Sequence, residues 1–188
     1  MDALVKAEAE AQRAREVLER IRDFVSNGNL NLEATDLSAL AERIGALCRD
    51  EATERGVQVE VESIDPVPPV QADGVQIEQV LINLVCNAID AASERSDARG
   101  RVIIRVAANA SAIKIQVEDN GRGVASELAD NIFDAYQTTK PRGMGLGLHL
   151  SRRIVQRHAG RLWWEPVRAG GARFMVELPA NGPTHNAA

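Results

Sequence analysis

The stretch QIEQVLINLVCNAIDAA, Gln76 to Ala92, decides the fold. Wound at 3.6 residues per turn, Ile77, Val80, Leu81, Leu84, Val85, Ala88, Ala91 and Ala92 form one broad apolar face. Gln76, Gln79, Asn83, Asn87 and Asp90 line one edge of that face. Asn83 and Asn87 are four residues apart, so their side chains sit one above the other. Asn in mid-helix costs roughly 0.5–0.7 kcal/mol relative to Ala. Two of them beside a buried face require a reason. Taken alone, a polar network against a neighbouring helix explains them, since buried amides mostly serve hydrogen bonding. A ligand is the sharper reading, because a neutral amide oxygen suits a hard cation such as Mg²⁺, which also takes water and phosphate oxygens.

Outward from this helix, the 188 residues hold one domain and an appendage, and 45% hydrophobic residues permit a real core. Aromatics are 3%, so the core is aliphatic. The net charge of −5, with both signs interspersed, argues against a nucleic-acid surface. No apolar run reaches the length of a membrane span, and the N-terminus does not read as a signal peptide. Cys48 and Cys86 fall in helical patterns without metal-ligand spacing. They read as reduced, buried and structural in a cytosolic protein.

Residues 1–27 form a separate segment. Leu4, Ala7, Ala11, Ala14, Leu18, Ile21 and Val25 recur in steps of three and four, a heptad seam that predicts a helix pairing with other helices. A homodimer through residues 4–25 is one use and a monomer the other, since an Ala-rich seam buries little area, with Gly28 as C-cap. The pattern then predicts a short strand in Asn31–Asp36, a helix capped by Asp36 over Leu37–Arg55, and strands at Val57–Val61 and Val70–Ala72. Asp73 caps the central helix. Strands follow at Arg101–Ala107 and Ala112–Val117, then a short helix at Glu127–Tyr136. A Thr- and Gly-rich loop spans Gln137–Gly147, and a helix covers Leu148–His158 with Gly160 as its C-cap. A hairpin of Arg161–Trp164 and Ala172–Leu178 closes the domain. The domain covers 31–179 and a polar tail 180–188. Helices interleaved with mostly hairpin-linked strands predict an α+β fold, a two-layer sandwich of one mixed β-sheet with helices on one face.

Two further features carry chemistry. Gly143, Gly145 and Gly147 precede a helix, whose N-terminus offers N–H groups to phosphate. Thr138, Thr139 and Lys140 stand in the same loop. Asp119 ends a strand before Gly121 and Gly123. A simple turn explains it, yet its carboxylate also suits the exocyclic amine of adenine. Neither GxxxxGK[ST] nor a strand–GxGxxG–helix unit is present.

In that order, Asn83-Leu84-Val85-Cys86-Asn87-Ala88, Asp119-Asn120-Gly121-Arg122-Gly123, Ile132-Phe133-Asp134-Ala135-Tyr136 and Gly143-Met144-Gly145-Leu146-Gly147-Leu148 resemble the N, G1, F and G2 boxes of the GHKL superfamily. The likeness is to the ATP-binding domain of sensor histidine kinases, which has the Bergerat-type ATP-binding fold. The Thr138-Thr139-Lys140 loop and Arg161-Leu162-Trp163 resemble FixL-like two-component kinases. The resemblance implies ATP and Mg²⁺ as cofactors, with Asn87 as metal ligand and Asn83 near the phosphates. It implies Asp119, with Gly121 and Gly123, at adenine. Thr138, Thr139, Lys140, Gly143, Gly145, Leu146, Gly147 and Leu148 would belong to the lid and phosphate site. The catalytic set would be Asn83, Asn87 and Lys140. Gyrase-type ATPases carry Glu where Asn83 stands, which favours phosphoryl transfer over hydrolysis.

The chain departs from the pattern at Tyr136, in place of the usual Phe, and at Asp90, where many members carry Lys or Arg. Lys140 or Arg142 then substitutes as phosphate cation. The implied partners are a phosphoacceptor His hairpin and a response regulator, with no nucleic acid and no membrane contact by this segment. The implied location is the cytoplasm, with a membrane-anchored parent allowed. None of the three histidines fits the acceptor pattern. His158 reads as a helix C-terminal residue facing the dipole, and His149 as a first-turn residue near the lid. The alternatives are a free-standing GHKL regulator, an anti-sigma-factor Ser kinase or a non-catalytic degenerate kinase. The heptad segment argues against the first two, and the intact glycine motifs against the last.

Overall fold

The computed structural model describes residues 30–64, 66–95, 99–138 and 145–183. The expected N-terminal helix of 1–27, its C-cap at Gly28 and most of the tail lie outside the described residues. The architecture below belongs to the compact unit that begins at Asn31.

In chain order the elements are β1 (Glu33–Thr35), α1 (Leu37–Glu54), β2 (Val57–Ile64), β3 (Val70–Ala72), α2 (Gly74–Ser93), β4 (Gly100–Ala108), β5 (Ala112–Asp119), α3 (Gly147–Arg157), β6 (Arg161–Pro166) and β7 (Ala172–Pro179). Five strands form one mixed sheet in the order β2-β4-β5-β7-β6. β2 runs parallel to β4, and the other neighbours are antiparallel. β1 and β3 pair with each other in a separate two-stranded ribbon, so the expected single sheet omits them. Three-residue strands are too short to extend a sheet edge, and they clip the start of α1 to the start of α2.

The helices start where the sequence places their caps. Asp36 Oδ1 accepts from Ser38 N and Ala39 N, each at 2.9 Å. Asp73 Oδ1 accepts from Gln76 N at 3.1 Å, while its Oδ2 takes Gln76 Nε2 and Asn31 N. Each cap satisfies orphan donors of a first turn, which stabilises a helix by about 1 kcal/mol.

The core lies between the helices and one face of the sheet. α2 contributes Ile77, Val80, Leu81, Leu84, Val85, Ala88, Ile89 and Ala92, all buried. Ile89 replaces Ala91 in the expected set, because Ala91 turns toward the edge that carries the asparagines. β4 and β5 send in Val102, Ile104, Val106, Ile113, Ile115 and Val117, and β7 adds Phe174, Val176 and Leu178. Period-two alternation sends Arg101, Arg105, Glu118 and Arg173 to the other face. There Arg101 pairs with Glu60, Arg105 with Glu62, and Arg173 with Glu118. The Arg101–Glu60 pair is exposed and adds little stability, whereas the other two are half-buried. Cys48 is buried and Cys86 half-buried, both as free thiols.

Two expectations change. Glu127–Tyr136 is not one helix. Its backbone advances by bonds three residues long, Leu128 N to Ala125 O, Asn131 N to Leu128 O and Asp134 N to Asn131 O, with one 3₁₀ turn at Ser126–Leu128. Leu128, Ala129, Ile132 and Phe133 do fall at helical spacing, and Ile132 and Phe133 pack on the core, yet the backbone takes the tighter three-residue bonds. The C-terminus of α3 also differs. Ala159 adopts the left-handed conformation (φ 56°), and Gly160 N closes the end on Val155 O at 2.9 Å. Gly160 is instead required by crowding, since a Cβ there would strike the Glu177 carbonyl.

Candidate nucleotide site

The site is organised along one stripe of α2. Asn83, Asn87 and Ala91 succeed one another at four-residue steps, covering ~12 Å of helix. At one end, Gly147, the first residue of α3, lies against Asn83 so closely that a Cβ would collide with the Asn83 Oδ1. At the other end, Gly121 lies against Ala91, where a Cβ would collide with the Ala91 carbonyl. The two glycine motifs therefore meet the same helix edge two turns apart, and Asn87 stands between them.

Asp119 is the last residue of β5 and only 3% exposed. Its Oδ1 accepts from Gly121 N at 2.8 Å and from Ala172 N at 3.3 Å. Both donors reach the same oxygen, and among the described residues none reaches Oδ2. Burial pushes the carboxyl up to about 6, against the pull of those two backbone N–H groups. A buried carboxylate with one uncommitted oxygen is an acceptor held for a donor. The turn expected at Asp119 is present in the Gly121 contact, and it aims the side chain.

At the amide end, Asn83 Nδ2 donates to Ser151 Oγ at 3.0 Å, and Asn87 Nδ2 approaches Asn83 Oδ1 at 3.4 Å. Leu146 precedes α3 without a side-chain cap bond, so the N–H groups of its first turn are not taken by a capping residue. Leu148 packs its side chain against the core. Gly145 and Gly123 both hold left-handed conformations, at φ 65° and 76°. Tyr136 N donates to Gly145 O at 2.9 Å, which brings together the ends of the stretch 137–144. Tyr136 is itself exposed, and Phe133 packs edge-on against Phe174 at 6.4 Å. Thr138 is described and exposed. Thr139, Lys140, Arg142 and Gly143 lie outside the described residues, so the structure does not speak to them.

Asp90 pairs with Arg55 at 2.7 Å, across to the end of α1. His149 sits in the first turn of α3, with Nδ1 3.2 Å from Phe133 O. His158 is the C-cap of α3, meeting its last carbonyls as expected, and it does so as a buried neutral ring. It is 1% exposed, its Nδ1 donates to Ile154 O at 2.8 Å, and its Nε2 accepts from Asp73 N at 3.0 Å. An imidazole that accepts at one nitrogen is neutral, and burial lowers its pKa. His158 thus ties the end of α3 to the start of α2.

Sequence reasoning missed Ser151 and Ala91. Ser151 follows Gly147 by one turn, and that spacing was the available signal. A cleft of about 540 Å³ opens elsewhere, between Phe133, Arg152, Gln156 and Trp164. Neither asparagine, Asp119 nor any motif glycine lines it.

A mixed sheet backed by helices, an asparagine-lined helix edge and two glycine turns upon it define a nucleotide-binding α+β sandwich. Residues 72–182 match the model of one family, the histidine kinase-, DNA gyrase B- and HSP90-like ATPases, and the chain belongs to that family. It is 41% identical to the sensor protein FixL of Bradyrhizobium diazoefficiens over 179 residues, 95% of this chain and 35% of that protein. It therefore spans about a third of that relative. Among solved structures, full-length ShkA in complex with AMPPNP is similar with TM-score 0.76 at 26% identity, over 89% of this chain and 35% of that one. Histidine kinase ThkA in complex with the response regulator TrrA also gives 0.76, at 27% identity, over 93% and 49%. The sandwich and the family expected from the motifs are both borne out. Among the described residues, no helix is long and apolar enough to cross a membrane.

Proposed function

We propose that this chain is the ATP–Mg²⁺-binding kinase domain of a two-component sensor histidine kinase. It transfers the γ-phosphoryl of ATP to a His on a dimerisation hairpin, from which a response regulator takes it. The observation that carries this is the convergence of both glycine turns on the Asn83–Asn87–Ala91 stripe. Asp119 Oδ2 accepts the adenine amine, and Gly121 and Gly123 let the base lie flat on the backbone. Gly145, Leu146, Gly147 and Leu148 present backbone N–H groups to the phosphates at the start of α3, with Thr138, Thr139, Lys140 and Gly143 completing the lid.

The donor set fits Mg²⁺. Among the described residues no group of three acidic, His or Cys side chains converges. Mg²⁺ needs few protein ligands when phosphates and water supply the rest, and the Asn87 oxygen provides one. When bound, the ion neutralises phosphate charge. Asn83 holds Asn87 in place and stands where a hydrolytic base would otherwise be, so the chain positions phosphate for transfer rather than activating water. The similarity to kinases bound to AMPPNP and to a response regulator supports these partners. Residues 1–27 contribute part of the dimerisation hairpin, pair through 4–25, and the domain works in the cytoplasm.

Titration calorimetry with ATP and GTP, each with and without Mg²⁺, tests the site. ATP binds with Mg²⁺-dependent affinity, and GTP, which has a carbonyl where adenine has its 6-amino group, binds at least about 100-fold more weakly. Mixing with a supplied phosphoacceptor hairpin gives acid-labile, base-stable label on His. Label on Ser would replace the histidine kinase with a Ser kinase.

A further inference from the structure

We infer that the cleft beside β6 docks an extended, acidic segment of a partner protein, which adds to the sheet as a further strand. The inference is independent of the nucleotide reading, since no residue assigned to the nucleotide lines this cleft. Arg161, Leu162, Trp163 and Trp164 are consecutive, and all of them line it. Successive strand side chains point to opposite faces, so a cavity that meets all of them lies along the edge of the strand. β6 is the last strand of its sheet and has a neighbour, β7, on one side only. The facing wall is Arg152 and Gln156, one turn apart on α3, with Phe133 from the turns before it. An unpaired edge offers backbone N–H and C=O groups to another chain, and the side chains around it choose which chain.

Charge decides the partner. Between Asp134 and Glu165 the sequence has no acidic residue and six cations, Lys140, Arg142, Arg152, Arg153, Arg157 and Arg161, in a chain of net charge −5. The cleft itself holds Arg152 and Arg161 against one carboxylate, Asp130. Elsewhere Arg43, Arg55, Arg101, Arg105, Arg122 and Arg173 each pair with a carboxylate. Among the described residues Arg152 and Arg161 pair with none. Their guanidinium groups lie over Phe133 and Trp163 instead, 5.4 and 5.3 Å from the ring centres. A guanidinium above a ring still has N–H donors to give a carboxylate. It also covers a ring face on which a nucleic-acid base would stack. The fit is therefore to Asp and Glu side chains of a peptide rather than to single-stranded nucleic acid.

The test is fluorescence anisotropy of the whole chain with a labelled peptide of alternating Glu and Val. The peptide binds saturably below about 1 mM. Arg152→Gln and Arg161→Gln each weaken it about tenfold, with an unchanged circular dichroism spectrum. A Lys–Val peptide of the same length does not bind. Two further Glu–Val peptides carry N-methyl groups on one or the other alternate set of residues. One keeps its affinity and the other loses it at least about tenfold, because a strand on an edge uses every second N–H. Equal affinity of these two peptides overturns strand addition. Absence of saturable binding, unchanged affinity in either arginine variant, or tighter binding of oligo-dT than of the Glu–Val peptide overturns the inference.

Discussion

Asp119 and His158 are both titratable and almost wholly buried, and they do opposite work. His158 spends both ring nitrogens on the protein, one on Ile154 O and one on Asp73 N. Nothing on it is left for a ligand, and its neutral form is the one the fold wants. Asp119 spends one oxygen on two backbone donors and keeps the other uncommitted among the described residues. Its ionised form is held against burial, with the carboxyl pushed up to about 6. Burial of a titratable group thus does not mark a site. An acceptor left over after the fold has been satisfied does.

The widest separation between the two should appear on substitution. Asp119→Ala abolishes ATP binding, a loss of at least about 100-fold, with an unchanged circular dichroism spectrum. Asp119→Asn keeps an acceptor for Gly121 and Ala172 and removes the buried charge. It still loses ATP, yet in urea at pH 8 it is more stable than the parent by about 1–2 kcal/mol. A less stable Asp119→Asn would mean the carboxylate serves the fold, and the contrast with His158 would vanish. His158→Ala behaves the other way. It leaves the Asp73 N–H buried without an acceptor and opens a cavity, costing about 2–4 kcal/mol, while ATP affinity stays within about threefold.

A smaller effect is the sign of the pH dependence. The Asp119 pKa is raised on folding, so its contribution to stability is complete below about 4 and lost as pH rises through about 6. The His158 pKa is lowered by burial, so its contribution is present above about 6.5 and lost as pH falls through the lowered value. Urea midpoints taken from pH 8 to pH 5 therefore fall less steeply for His158→Gln than for the parent, and more steeply for Asp119→Asn. Slopes in the same direction would refute the assignment of charge states. ATP affinity weakens below about pH 6 as Asp119 protonates.

Much of this was legible in the sequence. The apolar stripe of Gln76–Ala92, the caps Asp36 and Asp73 and the alternation in 57–61 are local patterns, and local patterns print themselves in order. The pairing of Asn83 with Asn87 follows from helical spacing alone. What the sequence could not print is contact between distant segments. That Ser151 meets Asn83 and His158 reaches Asp73 depends on how α2 packs on α3, and that Ala91 meets Gly121 depends on how α2 packs on the turn after β5. His158 therefore reads only as a helix C-terminal residue facing the dipole, without its tie to Asp73. Glu127–Tyr136 reads as a short helix, whereas its backbone advances by three-residue bonds. Lys140 and Gly143 lie outside the described residues.

The central claim is that Gly121, Asn87 and Gly147 border one nucleotide. Amide and side-chain resonances of a ¹⁵N-labelled chain, followed through a titration with ATP and Mg²⁺, test it directly. The three residues should shift together along one binding curve with one dissociation constant. Shifts at Gly147 without Gly121, or two curves with different constants, would contradict it.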